Sequence, residues 1–197
     1  MKITSKDLIN LGVFTLLSLV VTVFAFGITL TPVIQFSRMA INALLSAPIF
    51  LLFVAKTGKP FMISIMGVIC SVLISGLMFG GAVYAVVTFI FFLAAELIAY
   101  LGKYKNFKLN QLSYIVCSFW TFGPYGIWWY DTEHAYQLAK SSYDSIQGYE
   151  GFADQILVLI NPTTLIITLA LTLLASIVSI FFAKRLFRKH FKKAGLV

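Results

Sequence analysis

Charge is scarce in this chain, and negative charge is scarcer still: 11% of the residues are Asp, Glu, Lys or Arg, and only seven of these are acids. A soluble domain carries about 25% charged and roughly 45–50% apolar residues, whereas 60% are hydrophobic here. A water-soluble core of 197 residues cannot hide that surplus, so the excess has to face lipid. The two cysteines, Cys70 and Cys117, both fall inside apolar runs, and no CxxC or Cys/His spacing accompanies them. That excludes a disulfide framework and a structural zinc site, and the pair reads as reduced, small, buried hydrophobes. HExxH, GxSxG and GxxxxGK[ST] are missing, so the chain lacks the signatures of a zinc protease, a serine hydrolase and a P-loop ATPase. Glu96 is the one carboxylate deep within an apolar run, which leaves no acid–base dyad there. No enzyme activity, no resident metal and no intrinsic cofactor are expected. The first apolar run is too long for a cleavable leader and no A-x-A-like site follows it.

Apolar runs long enough to span a bilayer, which takes about 20 residues each, are abundant. Six cover approximately 8–27, 33–55, 61–79, 82–101, 109–129 and 162–183. Pro32, the turn Lys56-Thr57-Gly58-Lys59-Pro60, Gly80-Gly81 and Gly102-Lys103-Tyr104-Lys105 punctuate them. One stretch, 130–161, breaks the pattern: it holds Asp131, Glu133, Asp144, Glu150 and Asp154 against one Lys140 and reads as a long polar loop. The expected fold is therefore all-α, a single domain of six transmembrane helices in one bundle. The positive-inside rule orients it. With both ends in the cytoplasm, 13 of the 15 Lys and Arg residues fall inside, while Arg38 and Lys140 stay outside with five of the seven acids. The net charge of +8 thus reads as a membrane-surface signal, with no nucleic-acid partner implied. This topology also puts His134 and His190 on opposite sides, where they cannot share a metal.

Polar residues within apolar runs are costly in lipid and mark interior surfaces or cavities. Arg38 and Asn42, four apart, share one face of the second helix. Arg38 either receives an anionic group of a ligand from outside, snorkels to the headgroups, or pairs with an acid of the outer loop. Glu96, near the inner basic cluster, reads as an interfacial ion pair or a partner contact. The densest aromatic cluster, residues 119–130, contains Gly123-Pro124, which should kink or break the fifth helix. Trp128, Trp129 and Tyr130 suit an interfacial belt, and Trp120, Tyr125 and Trp128, with Tyr84, suit the flat walls of a ligand pocket. His134 is either solvated or an axial ligand to a bound metalloporphyrin. Gly12, Thr15 and Ser18 put small residues on the first helix, where they permit close packing against another helix or another subunit.

Three segments carry a family resemblance: Lys6-Asp7-Leu8-Ile9-Asn10-Leu11-Gly12-Val13-Phe14-Thr15, Gly102-Lys103-Tyr104-Lys105 and Lys189-His190-Phe191-Lys192-Lys193-Ala194-Gly195. With the spacing between them, they resemble the Trep-Strep family of small bacterial integral membrane proteins. That family in turn resembles the substrate-binding S components of energy-coupling factor (ECF) ABC importers. The resemblance implies a multi-pass subunit of the bacterial cell membrane that works with a transmembrane coupling subunit and two cytoplasmic ATPases. It implies ligand binding near the outer side, beneath the loops. It also implies a small-residue face on the first helix, often Ala-xxx-Ala, against the coupling subunit; here Gly12 is followed by Leu16, so Gly12, Thr15 and Ser18 would serve instead. Haem is the favoured transported substrate, with a vitamin or vitamin-like metabolite as the alternative; a membrane assembly or scaffold protein is the alternative class. The haem reading predicts that purified protein mixed with hemin shows a shifted Soret band and tight, saturable binding. Weak binding that is unchanged by Arg38→Ala and His134→Ala together removes haem as the specific ligand.

Overall fold

The chain arranges its apolar runs as a helical bundle in a computed structural model that describes residues 3–28, 31–78, 81–143 and 145–187, with side chains at 75–78 excepted. The basic tail from 188 onward, including His190 and the Lys189–Gly195 motif, and the acid Asp144 lie outside the described residues. Among these residues the fold is all-helical. In chain order the elements are α1 (Ser5–Gly27), α2 (Pro32–Gln35), α3 (Arg38–Thr57), α4 (Met62–Cys70) running on as a π-helix (Ser71–Met78), α5 (Ala82–Leu101), α6 (Phe107–Cys117), a 3-10 turn (Ser118–Thr121), α7 (Phe122–Tyr125), α8 (Ile127–Tyr130), α9 (Thr132–Tyr143), α10 (Phe152–Leu159) and α11 (Pro162–Leu186). Four of them, α1, α3, α5 and α11, are long and apolar enough to cross a membrane.

Three of the six expected spans are less regular. The third is α4 followed by the π-helix, and the Ser71 hydroxyl at the junction donates to the Gly67 carbonyl at 2.6 Å. The fifth is broken, but ahead of the expected point: α6 stops at Cys117, and three short segments carry the chain to Tyr130, with Gly123-Pro124 inside α7. Gly123 has to be glycine, because a Cβ there would lie 1.9 Å from Thr88 Oγ1 of α5. The second expected helix is also interrupted. Thr31 caps the short α2, with Pro32 at its first position, and α3 starts only at Arg38.

The stretch expected to be a polar loop is largely helical. Ala135 and Ala139 of α9, and Phe152, Ala153 and Ile156 of α10, are buried on one side of each helix. Glu133 of α9 and Asp154 of α10 are exposed on other faces, so amphipathic helices were hidden in a segment that looks like a loop by charge alone. Gly148 and Gly151, at φ +88° and +71°, make the turn that folds α10 back.

α3 is the bundle's central post. Asn42 Nδ2 donates to Thr22 Oγ1 of α1 at 2.8 Å. Tyr114 of α6 donates its hydroxyl to the Ala43 carbonyl. Pro48 lies inside the helix and has no N–H for the carbonyl of Leu44, four residues back. Ser179 of α11 supplies the missing donor, its Oγ lying 2.5 Å from the Leu44 oxygen. At the end of α3 away from Arg38, Asp7 accepts from the backbone N–H of Thr4 at 2.7 Å and from the Lys59 ammonium, tying the start of α1 to the α3–α4 turn. Beside it, buried Glu96 of α5 caps α4: its carboxylate accepts from the backbone N–H groups of Phe61 and Ser64, both at 3.1 Å, and from the Tyr104 hydroxyl. This same bond anchors a turn in which Lys103 and Tyr104 both adopt left-handed backbone (φ +49° and +59°), a conformation that costs about 1–2 kcal/mol per residue without glycine.

Ser179→Ala removes the donor to Leu44 and should lower the unfolding free energy in detergent by about 1–2 kcal/mol. Adding Pro48→Ala to that variant returns an N–H to the helix and should recover most of the loss; thermal unfolding of the two variants beside the parent checks this.

Candidate functional site

Arg38 opens α3 directly below the last turn of α1, and the chain places it almost wholly inside, at 4% exposure. Its guanidinium lies 4.8 Å from the ring centre of Phe26 on α1 and 5.9 Å from that of Tyr125 on α7. A cation held over ring faces in a dry setting is attracted by the ring quadrupole. Arg38 Nη2 also donates to the Tyr143 hydroxyl at the end of α9, at 3.4 Å. Three elements, α1, α7 and α9, thus converge on one side chain of α3.

These residues line a chamber of about 210 Å3. Its floor and sides come from the end of α1, the α2–α3 junction, α7, α8 and Thr168 of α11; its roof is the face of α9 formed by Ala135, Leu138, Ala139 and Ser142. Those positions follow i, i+3, i+4, i+7, the spacing that puts one helical stripe over a surface. The α8 corner is pinned from two sides: Trp129 Nε1 donates to the Asn161 carbonyl at 3.3 Å, and Tyr130 donates its hydroxyl to the Gly123 carbonyl. Asp131, just beyond α8, accepts from Tyr84 of α5 at 2.6 Å. Tyr136 of α9 donates to Asp154 of α10 at 2.8 Å, and that bond holds its phenol pKa above the ordinary value.

Gln35 Oε1, the Tyr125 hydroxyl and the Thr168 hydroxyl are buried without a hydrogen-bond partner, and all three residues line the chamber. A buried polar atom left unpaired costs about 1–3 kcal/mol. The buried arginine and the ring walls from Tyr125, Trp128 and Trp129 make a surface suited to a small molecule with a polar edge and a flat body, while the three unpartnered atoms are sealed within the wall.

Of the residues singled out from sequence, Arg38, Tyr125 and Trp128 meet in this chamber. Asn42 does not line it: one helical turn deeper, its amide is taken up by Thr22. Trp120 packs against Phe92 with ring centres 5.6 Å apart, within the main apolar core. Tyr84 is committed to Asp131, and His134 stacks near Tyr84 at 5.6 Å rather than on the chamber wall. On α1, Thr15 and Ser18 are turned into the bundle, and only Gly12 of the three expected partner contacts is exposed. Sequence reasoning passed over Gln35, Thr168 and Tyr143. The first two did leave a signal: Gln35 is a polar residue one helical turn before Arg38, and Thr168 starts the run Thr168, Thr172, Ser176, Ser179 along one side of α11. No group of three or more metal-ligating side chains occurs among the described residues.

Helices long and apolar enough to cross a membrane, with a mostly apolar chamber holding a buried arginine at one end, define an integral membrane protein with a small internal cavity. The chain belongs to the Trep_Strep family, described as hypothetical bacterial integral membrane proteins, whose family model matches residues 5–193. No curated protein and no solved structure matches it.

Thr168→Val and Tyr125→Phe each delete an unpartnered hydroxyl. Each should stabilise the ligand-free protein by about 1 kcal/mol, read as a raised unfolding midpoint in detergent, whereas a hydroxyl with a structural partner would give a loss.

Proposed function

We propose that this protein is the substrate-binding S component of an ECF-type importer, capturing a small ligand from outside the cell and delivering it inward with a coupling subunit and two cytoplasmic ATPases. The observation that carries the reading is the chamber itself: a buried arginine and aromatic walls beneath one amphipathic helix. A bundle serving only as a scaffold has no need of such a cavity. In this reading the chain crosses the bilayer six times with both ends inside, α4 with its π-helix and the α6–α8 segment providing the third and fifth crossings. Lys56, Lys59, Lys103, Lys105 and Lys108 then face the cytoplasm, in keeping with the positive-inside rule. The chamber opens outward, and α9 with α10 forms its cover.

The ligand carries an anionic group toward Arg38 and lays a flat body on Tyr125 and Trp128. At about 210 Å3 the chamber is below the roughly 300–1,000 Å3 of pockets for drug-sized ligands. That volume, with His134 turned onto Tyr84, favours a vitamin-like metabolite over haem. The chain supplies binding and reorientation, and ATP hydrolysis belongs to the partners.

Mass spectrometry of small molecules retained by the purified protein tests this. A single compact compound should be retained, lost or bound at least tenfold more weakly after Arg38→Ala, and an ATPase pair should copurify from the native membrane. Retention of nothing, with no ATPase partner, refutes the transporter reading.

A further inference from the structure

The end of the bundle away from the chamber gathers positive charge. Among the described residues the acids at that end are already taken: Asp7 by Thr4 and Lys59, Glu96 by the N–H groups that open α4 and by Tyr104. Lys108, Lys184 and Arg185 have no ion-pair partner among the described residues. They meet where the end of α11 packs beside the start of α6, with the Lys184 ammonium 6.0 Å from the ring centre of Phe107. Asn106 Oδ1 accepts from the N–H groups of Lys108 and Leu109 at 3.0 and 3.2 Å, so the attraction for an anion lies in the side chains rather than in the helix start. One helical turn deeper, an apolar residue shares the face of each cation: Leu112 follows Lys108 by four, and Phe181 precedes Lys184 by three and Arg185 by four. Leu112 and Phe181 are 47% and 65% exposed.

We infer that this α6–α11 seam binds one anionic phospholipid, with Lys108, Lys184 and Arg185 on its phosphate and Phe107, Leu112 and Phe181 against its acyl chains. A row of cations above a row of exposed apolar side chains, on two adjoining helices, fits an amphiphile; a free phosphate leaves the lower row unserved. Arginine can give a phosphate two parallel N–H groups, and lysine adds a compact point charge. All three cations are donors with no acceptor. A headgroup that carries its own ammonium, such as choline, therefore meets like charge at the seam, and a headgroup of net negative charge is selected. The inference rests on the chain being an integral membrane protein and is independent of the transporter reading.

Phosphatidylglycerol and phosphatidylcholine are the probes, titrated into delipidated protein in detergent and counted by native mass spectrometry. One phosphatidylglycerol should bind at least about tenfold more tightly than phosphatidylcholine, as expected from a few Lys and Arg residues facing an anionic headgroup. Lys184→Gln with Arg185→Gln should remove most of that preference. Lys6→Gln with Lys56→Gln deletes the same charge from exposed positions on α1 and α3 at the same end and should leave the preference in place. Phe181→Ala should weaken both lipids alike. Unfolding midpoints without lipid show that each variant is folded; should the α11 pair fail that check, Lys108→Gln on α6 reads the same seam and should also lower the preference. Equal binding of the two lipids overturns the inference, and so does an equal loss in the two double variants, which marks diffuse surface charge. Glycerol phosphate binding as tightly as phosphatidylglycerol also overturns it, because the apolar row then contributes nothing.

Discussion

Hydrocarbon offers no hydrogen-bond partner, so each polar atom within a membrane-spanning bundle has to find one inside the protein. The arrangement of this chain follows from how α3 meets that demand. Pro48 leaves the Leu44 carbonyl without its helical donor, and the hydroxyl of Ser179 brings α11 against α3 to replace it. Asn42 finds Thr22, which brings α1 in, and Tyr114 reaches the Ala43 carbonyl, which brings α6 in. Three neighbours are thereby set in register around one helix by bonds of fixed direction, where greasy contact alone would let them slide. Arg38, the first residue of that helix, inherits a fixed position from all three.

Against this background the chamber is a place where the demand goes unmet. Among the described residues, six side-chain polar atoms are buried without a partner, and three of them belong to its wall. At the opposite end of the bundle the buried carboxylate of Glu96 gathers two backbone N–H groups and a tyrosine hydroxyl, and that of Asp7 gathers the Thr4 N–H and the Lys59 ammonium.

Much of this was legible from the residues. Apolar run lengths located α1, α3, α5 and α11, while the break after α6 comes at Cys117, ahead of the Gly123-Pro124 pair where it was expected. Arg38, Tyr125 and Trp128 stood out as misfits in greasy surroundings, and they do come together. What escaped notice depends on tertiary partners. Asn42 has the right spacing from Arg38, yet its amide is consumed by a residue twenty positions earlier in sequence. Trp120 and Tyr125 lie in the same aromatic cluster, but the 3-10 turn at Ser118–Thr121 changes the helical phase between them and sends Trp120 into the core. Gln35 and Thr168 matter because nothing pairs with them, a property no spacing rule can detect. Thr15 and Ser18 are small residues on α1 that turn inward, so the small-residue pattern describes the packing of α1 against its own bundle. The stretch after Tyr130 misled through composition: its acids advertise a loop, while its alanines keep a helical period.

That period has a consequence for how such a protein diversifies. Ala135, Leu138, Ala139 and Ser142 roof the chamber from a single twelve-residue helix that stands apart from the four long apolar ones. Exchanging a small residue for a larger one on that stripe changes the height of the chamber without disturbing the bonds that hold α1, α6 and α11 to α3. The height of the chamber and the bonds that hold the long helices together therefore rest on different residues of the chain.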